Sequence, residues 1–230
     1  GTGGIMSTIY GLMLAVSNDY VSPDRITEIA DSLVSLQMAD GGWNLSGAYS
    51  DADVTAMALQ ALSAVRSYGY EDNIQKGVGR LASLQKDDAG YASYGVNNSE
   101  STAQVLMALC ALNIDYRTDT RFIKNGHTVL DALMGYRTSK GAFSHTKDGK
   151  PNALATTQAL GALVCADNYE KHGTFIYRYG NIQSRPVQKE TQPDVKPSPE
   201  QPAKTEPHHS CDGSIAATEH TQEITGVHEV

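Results

Sequence analysis

Several features are missing from this 230-residue sequence, and each absence excludes a class of protein. No apolar run approaches the roughly 20 residues that a membrane-spanning helix needs. Lys and Arg total 18 against 26 Asp and Glu, and they form no basic stripe, which argues against nucleic-acid binding. The N-terminal GTGGIMSTIYGLMLAV has no basic region before its apolar part, so it does not read as a signal peptide. Because the chain begins at Gly1 without Met, we expect a processed or truncated product.

Cysteine is scarce, with only Cys110, Cys165 and Cys211 in the chain. Three scattered cysteines do not make a disulfide framework. Cys110 and Cys165 lie in Ala- and Leu-rich stretches, where a cysteine usually serves as a small buried hydrophobe. Cysteine usage therefore does not indicate the redox compartment of the protein.

Aromatic residues are absent after Tyr179, and six of the eight prolines fall between Pro186 and Pro207. A segment without aromatics and rich in Pro, Glu, Gln, Lys and Thr buries too little surface to offset its ordering entropy. We therefore predict a proline-rich, disordered linker or tail over residues 180–230, and a folded domain over residues 1–179. The HHSCD stretch at 208–212 lies in this tail, where we do not expect a functional metal site.

What the first 179 residues do contain is an internal repeat with a period near fifty. The blocks SLQMADGGW…DVTAMALQAL, SLQKDDAGY…ESTAQVLMAL and GYRTSKGAF…LATTQALGAL align with one another. The equivalent threonines are Thr55, Thr102 and Thr156, with Thr8 marking a fourth, partial unit, and the equivalent aromatic residues are Trp43, Tyr91 and Phe143. We interpret these aromatic residues as packing elements between the units.

Each unit predicts two kinds of helix. One is amphipathic, with apolar residues at helical spacing, and the other is apolar nearly all round, which is typical of a helix buried on most sides. Alternating the two kinds gives a double ring with the apolar helices inside. We predict seven helices at 6–17, 23–38, 52–67, 72–86, 100–113, 121–137 and 152–170, and no strands. Glycines at Gly41-Gly42, Gly90 and Gly141 are predicted to end the outer helices as C-caps.

The stretch LQMADGGW resembles the Q-x-x-D-G-x-W motif of squalene cyclases, with Gln37, Asp40, Gly41 and Trp43 in place. The repeats as a whole resemble the prenyltransferase and squalene-cyclase superfamily, in particular the prenyltransferase-like repeat domain of Gram-positive secreted or cell-surface proteins. That resemblance covers roughly residues 1–179. It implies an all-α fold, an α/α toroid present as a partial ring of about seven helices, and a secreted or cell-surface location.

The stretch SDADVTA, residues 50–56, differs by one residue from the D-x-D-D-T-A string in which terpenoid cyclases carry a protonating aspartate. Asp53 occupies the position of that acid, but Val54 replaces the last carboxylate, and the inner helices lack aromatic side chains to surround a carbocation. We favour a structural interpretation, in which Ser50 and Asp53 form a capping box at the start of a helix. Asn97 and Glu100 match that arrangement loosely.

The starts of the inner helices also suggest a ligand site. These N-termini are expected to gather at one mouth of the ring, forming a polar rim able to hold a ligand or a calcium ion. Solvated helix caps are the alternative interpretation of the same residues. The candidate ligand-binding residues are Asp51, Asp53, Tyr94, Asn97, Asn98, Glu100, His145 and Asn152.

The sequence favours a non-catalytic binding or display domain over an enzyme. Neither the Asp, Cys and His set that binds zinc in protein prenyltransferases nor the G-C-G-E-Q thioester motif is present, and no cofactor is implied. The alternatives are an isoprenoid enzyme with Asp53 as acid, a cobalamin-carrier-like small-molecule binder, and an interaction protein that uses its outer helices. Expected partners are a small molecule or a surface partner, with self-association or the missing N-terminal half of a toroid covering the open ends of the ring.

Overall fold

The computed structural model describes residues 4–17 and 21–173, so the predicted tail and Cys211 lie outside the described residues. Seven α-helices, two short strands and two 3-10 turns follow one another along the described chain. The helices are α1 (Gly4–Val16), α2 (Pro23–Ser35), α3 (Ala52–Ser63), α4 (Glu71–Leu84), α5 (Ser99–Ala111), α6 (Val129–Met134) and α7 (Ala153–His172). The strands are β1 (Tyr91–Ser93) and β2 (Val96–Asn98), and the 3-10 turns are Arg66–Tyr68 and Thr120–Phe122.

The helices form two layers, as the alternation of helix types predicts. The odd-numbered helices α1, α3, α5 and α7 each pack against the next, and α2, α4 and α6 each pack on the inner helix that precedes them. The inner helices α3 and α5 are buried on almost every side, whereas α2 and α4 bury only one apolar face. No helix within the described part of the chain is long and apolar enough to cross a membrane.

The inner helix α7 departs from this pattern, and the prediction that it is buried on most sides is wrong. Leu160 is 52% exposed, although Leu59 and Leu106 at the equivalent positions of α3 and α5 are fully buried. Leu59 is covered because Gly77 of α4 lets the outer helix approach closely; a Cβ at Gly77 would lie 2.9 Å from the leucine side chain. No described residue follows α7 to cover it in the same way.

The repeated threonines join each inner helix to the turn before it. The Thr55 hydroxyl accepts a hydrogen bond from the backbone N–H of Trp43 (2.9 Å), and Thr156 does the same for Phe143 (2.9 Å). In the middle unit, the Thr102 hydroxyl accepts from the equivalent backbone N–H at 3.1 Å. The three aromatic side chains are buried in the core, in agreement with a packing role. The repeat therefore encodes a structural joint.

The Q-x-x-D-G residues build the turn itself. The Gln37 side chain donates to the carbonyl oxygens of Gly41 (2.7 Å) and of Asn73 on α4 (2.9 Å), so it ties the turn to the next outer helix. The Asp40 carboxylate accepts from the backbone N–H of Gly42 at 3.1 Å. Gln85 and Asp88 make the corresponding bonds in the second unit. The Q-x-x-D-G residues therefore have a structural role in this chain.

Two predicted features of the secondary structure are wrong. The helix expected over 121–137 is reduced to α6, because Asn125 and Gly126 adopt the left-handed conformation and form a tight turn between Lys124 and His127. The absence of strands is also contradicted, since β1 and β2 form an antiparallel hairpin. Its two-residue turn consists of Tyr94 (φ 48°) and Gly95 (φ 80°).

The predicted glycine C-caps are also wrong. Helix α2 is capped by Leu36, and Gly41 lies five residues further on, inside the turn. Gly41 and Gly141 do adopt positive φ values of 88° and 86°, but their equivalent in the second unit is Ala89 at 62°, not Gly90. These positions need the left-handed conformation to close the turn and do not end the helices.

Candidate functional site: an acidic cluster at two helix N-termini

The structure brings the starts of α3 and α5 together at one end of the helical layer. The β-hairpin lies across this end, where the Ser93 hydroxyl donates to Asp51 Oδ2 at 2.6 Å. The loop before α7 is also close, because the backbone N–H of Ser99 donates to the carbonyl oxygen of His145 at 3.0 Å. The starts of α3 and α5 therefore lie close to each other, to the hairpin and to the loop before α7.

Asp51 is the N-cap of α3. Its Oδ1 accepts from the backbone N–H groups of Asp53 (2.9 Å) and Val54 (3.4 Å), which satisfies donors that the first helical turn leaves unpaired. The predicted capping box between Ser50 and Asp53 is therefore wrong. Ser50 instead donates to Asp40 Oδ2 (2.9 Å) and accepts from Arg80 (2.7 Å).

The Asp53 carboxylate therefore does not cap the helix. Its Oδ1 is buried, and the hydroxyl of Ser101 on α5 is the side-chain donor beside this carboxyl. Burial raises the pKa of Asp53 to about 6, with help from the negative charges of Asp51 and Glu100 and against the opposite effects of Ser101 and His145. Near pH 7 the group is largely ionised, although its surroundings oppose the charge.

Glu100 and His145 form the second half of the cluster. His145 Nδ1 lies 2.9 Å from Glu100 Oε2, and the Ser99 hydroxyl lies 3.0 Å from the same oxygen. The Glu100 side chain is 11% exposed, but that of His145 is 52% exposed, so solvent reaches the cluster from the His145 side. The other oxygen of Glu100, Oε1, accepts no hydrogen bond within the described chain.

Ser101 completes the arrangement. It is fully buried and its hydroxyl makes no hydrogen bond of ordinary geometry to a described residue, although it lies near enough to Asp53 to lower that carboxyl's pKa. The buried hydroxyl and the buried carboxylate oxygen are therefore neighbours across the contact between α3 and α5. We use the name acidic cluster for Asp51, Asp53, Glu100 and His145, with Ser101 between the two helices.

The remaining predicted site residues have other positions. Asn98 is the N-cap of α5 and accepts from the backbone N–H of Ser101 at 2.7 Å, so the loosely predicted pairing of Asn97 with Glu100 is shifted by one residue. Asn152 caps α7 in the same way. Asn97 is exposed in β2, and Tyr94 is 79% exposed at the hairpin turn. No contact joins these two side chains to the acidic cluster.

Sequence reasoning missed the serines at this site. Ser93, Ser99 and Ser101 have no distinguishing pattern, and their roles depend on how α5 and the hairpin pack. The metal interpretation gains no support, because no group of three or more His, Cys, Asp or Glu side chains in the described ranges is arranged to hold a metal ion. In particular, the carboxylates do not converge as calcium ligands do.

Comparison with known proteins shows which known fold this chain is similar to. No protein-family model matches this chain, and no curated protein matches it. Among solved structures, protein geranylgeranyltransferase-I from Candida albicans in complex with GGPP is similar, with a TM-score of 0.54 and 15% sequence identity. The similarity covers 74% of this chain and 51% of that chain. The fold is an α/α toroid. This chain spans about half the length of its structural neighbour, which agrees with a partial ring of seven helices.

At 15% identity the similarity shows the fold alone and carries no activity across. Cys110 and Cys165, the described cysteines, are buried in α5 and α7. Burial raises the pKa of Cys110 to about 12, so its thiol is protonated at neutral pH. What the site offers is a set of acceptor oxygens at a solvent-accessible helix junction.

Proposed function

We propose that this domain is a non-catalytic binding or display module of a secreted or cell-surface protein, and that its ligand is held at the acidic cluster. The toroid serves as the scaffold that brings the N-termini of α3 and α5 together. The export and surface location are supported by the sequence resemblance and by the proline-rich composition after residue 180.

The observation that carries the proposal is the Asp53 carboxylate. It is mostly buried beside two further acids, and burial raises its pKa to about 6 although the Ser101 hydroxyl lies beside it. Groups whose pKa values are strongly displaced by burial and by neighbouring charges concentrate at functional sites.

The alternative, an isoprenoid enzyme with Asp53 as the acid, is less well supported. An acid that protonates an alkene must remain protonated and be strongly acidic, whereas Asp53 has a pKa of about 6 and is mostly ionised at neutral pH. The lining of α3 and α5 also offers no Phe, Tyr or Trp to stabilise a carbocation.

A thermal-shift screen of small metabolites and saccharides tests the proposal on three proteins: the wild type, Asp53→Asn, and Asp167→Asn as a matched control. Asp167 lies far along α7 and pairs with Lys171 on the surface. A ligand of the acidic cluster is expected to raise Tm of the wild type and of Asp167→Asn by several degrees, to raise Tm of Asp53→Asn much less, and to be recovered unchanged.

Two results contradict the proposal. One is a screen in which Asp53→Asn and Asp167→Asn respond alike to every compound. The other is time-dependent product formation from squalene or geranylgeranyl diphosphate by the wild type that is lost in Asp53→Asn, which would support the isoprenoid enzyme.

A further inference from the structure

We propose that Cys110 and Cys165 form a disulfide bond that ties α7 to α5 when the chain folds under oxidising conditions. The bond is a modification of the helical scaffold, and it depends neither on the acidic cluster nor on the proposed function. Three features point to it: the register of the two helices, the burial of both thiols, and the residues that take their place elsewhere in the repeat.

Two hydrogen bonds fix the register of α5 and α7. The Gln104 side chain on α5 donates to Gln158 Oε1 on α7 at 3.2 Å, and the Tyr116 hydroxyl, shortly after α5, donates to Glu170 Oε1. In both pairs the partners are 54 positions apart in the chain. The two helices therefore run side by side in the same direction. Cys110 lies midway in sequence between Gln104 and Tyr116, so it belongs to the stretch that is held in this register.

Cys165 is the buried side chain of α7 at the level of Cys110. Counting 54 positions on from Cys110 gives Val164, the residue directly before Cys165. Val164 is 56% exposed, whereas Cys165 is fully buried and Cys110 nearly so. Of the two adjacent residues on α7, Cys165 is therefore the one that lies in the packed layer beside Cys110.

The electrostatics and the surrounding side chains agree with this placement. Burial raises the pKa of Cys110 to about 12, and the charge of an ionised Cys165 raises it as well, so the two sulfur atoms are near enough to act on each other. Small buried residues surround them, namely Ala108 on α5 and Ala162 and Ala166 on α7. Small side chains let helices approach closely, which a disulfide needs because its two Cα atoms lie about 4.4–6.8 Å apart.

The repeat itself does not require cysteine at these positions. The equivalent residues at the end of α3 are Ser63 and Ala64. Serine or alanine thus fills this part of the inner layer in another unit, and cysteine is not needed for its volume. Within the described ranges, cysteine occurs only on α5 and α7, the pair of helices that pack against each other here.

A covalent tie has a clear effect at α7. This inner helix has an exposed face at Leu160, and no described residue follows α7 to cover it. Fewer contacts therefore hold α7 than hold α5, and a bond to α5 compensates for the missing cover. Disulfides persist in oxidising surroundings such as the outside of the cell.

The reaction is thiol–disulfide exchange with a small disulfide such as oxidised glutathione. The thiolate of one cysteine attacks that disulfide, and the glutathione thiolate that leaves takes up the proton that the cysteine lost. The thiolate of the other cysteine then attacks the protein sulfur of the mixed disulfide and expels the second glutathione in the same way. Two protein thiols are oxidised and one glutathione disulfide is reduced to two glutathione molecules. Because the thiolate is the reactive form and both thiols are buried in the folded domain, the bond forms while the chain folds.

The test is refolding of the reduced, urea-unfolded chain in glutathione buffers of defined ratio. The variant Cys211→Ser is used because it leaves only the two buried thiols. Acid quenching and mass spectrometry without reduction give the fraction of molecules that carry the bond, in the refolded protein and in concentrated urea. The equilibrium constant for bond formation is expected to be roughly thirtyfold or more larger in the folded protein, since a bond that stabilises the fold is favoured by folding to the same extent.

Two further measurements accompany the equilibrium. The oxidised form of Cys211→Ser is expected to melt about 5–10 °C above its reduced form. The double variant Cys165→Ala and Cys211→Ser is the matched control, because it keeps a small buried residue on α7, and oxidised glutathione should leave its Tm unchanged. Peptide mapping of the wild-type chain without reduction should join Cys110 to Cys165.

Three results overturn the proposal. An equilibrium constant no larger in the folded protein than in urea would show that the fold does not hold the two thiols in disulfide geometry. A lower Tm for the oxidised form would show that the bond strains the packing of α5 on α7. Preferential joining of Cys211 to either buried cysteine in the wild-type chain would place the bond elsewhere. If the double variant fails to fold, as judged by circular dichroism, the comparison of oxidised and reduced Cys211→Ser still decides.

Discussion

The substitution Asp53→Asn is expected to stabilise the protein at neutral pH and to have almost no effect near pH 4. Asparagine has nearly the same shape as aspartate but carries no charge. The pKa of Asp53 is raised from 3.8 to about 6 in the folded protein, because burial and the charges of Asp51 and Glu100 disfavour the ionised form. The folded state therefore binds more protons than the unfolded state between these two pKa values.

The sign of the effect follows from proton linkage. Where the folded state holds more protons, stability falls as pH rises, so ionisation of Asp53 costs stability between about pH 4 and pH 7. A shift of just over two units corresponds to about 3 kcal/mol. An acid in the first turn of α3 also gains roughly 0.3–1 kcal/mol from the helix dipole, which asparagine loses. The net gain expected for Asp53→Asn at pH 7 is about 2 kcal/mol.

Urea unfolding of the wild type and Asp53→Asn at pH 4 and pH 7 measures this difference directly. The other titrating groups are common to both proteins, so the change in the difference with pH isolates Asp53. At pH 7 a gain of that size corresponds to a rise in Tm of about 4–8 °C. Equal stability differences at both pH values would show that the pKa of Asp53 is the same in the folded and unfolded states. Destabilisation by Asp53→Asn at pH 7 would show that the carboxylate has a stabilising partner, and either result would refute the reasoning.

Two further predictions concern the scaffold, and each compares matched positions by urea unfolding. Leu106→Ala should destabilise the protein by about 3 kcal/mol, because Leu106 is fully buried. Leu160→Ala, at the equivalent but half-exposed position of α7, should change stability by less than about 0.5 kcal/mol. Similar losses for the two substitutions would mean that Leu160 is covered as Leu106 is. Gly41→Ala should destabilise by about 2 kcal/mol, since φ is 88° and a Cβ would lie 2.8 Å from the Lys76 carbonyl oxygen. Gly79→Ala, in open space on α4, should stabilise by about 0.5–1 kcal/mol, and a loss there would contradict this account.

The layered fold was predictable because the same sequence pattern recurs in three repeat units. Thr55, Thr102 and Thr156 recur with the same relation to an aromatic residue, and in the structure all three bond that residue's backbone. A spacing that persists across units constrains the fold more strongly than the propensity of any single segment. The two helix types then predict which helices form the inner layer and which form the outer layer.

The errors arose where local turn chemistry overrides helical periodicity. The Asn125-Gly126 pair is a strong turn signal that can be recognised in the sequence. It shortens the predicted sixth helix, because both residues adopt positive φ values. The hairpin turn at Tyr94-Gly95 is harder to predict, because tyrosine is rarely found at positive φ. The exposed face of α7 was not predictable at all, since it depends on which elements follow that helix.

The candidate site was predictable in its location and not in its chemistry. Placing the inner-helix N-termini at one mouth was enough to bring Asp51, Asp53 and Glu100 together. The N-cap could not be identified in this way, because the sequence allows either Ser50 or Asp51 to cap α3. The hydrogen bonds in the structure decide between them, since Asp51 caps the helix and Ser50 bonds to Asp40. The position of the Ser101 hydroxyl beside the Asp53 carboxyl depends on packing between α3 and α5, which no local pattern records.

The most direct test of the central claim is the pKa of the Asp53 side chain, followed by ¹³C NMR of its carboxyl carbon and assigned by comparison with Asp53→Asn. If burial and the neighbouring acids oppose the charge of Asp53, it titrates near pH 6 in the free protein. A pKa at or below 3.8 in the free protein would mean that Asp53 has its own hydrogen-bond donors. It would then be a structural residue, and the proposal that a ligand is held at the acidic cluster would lose its supporting observation.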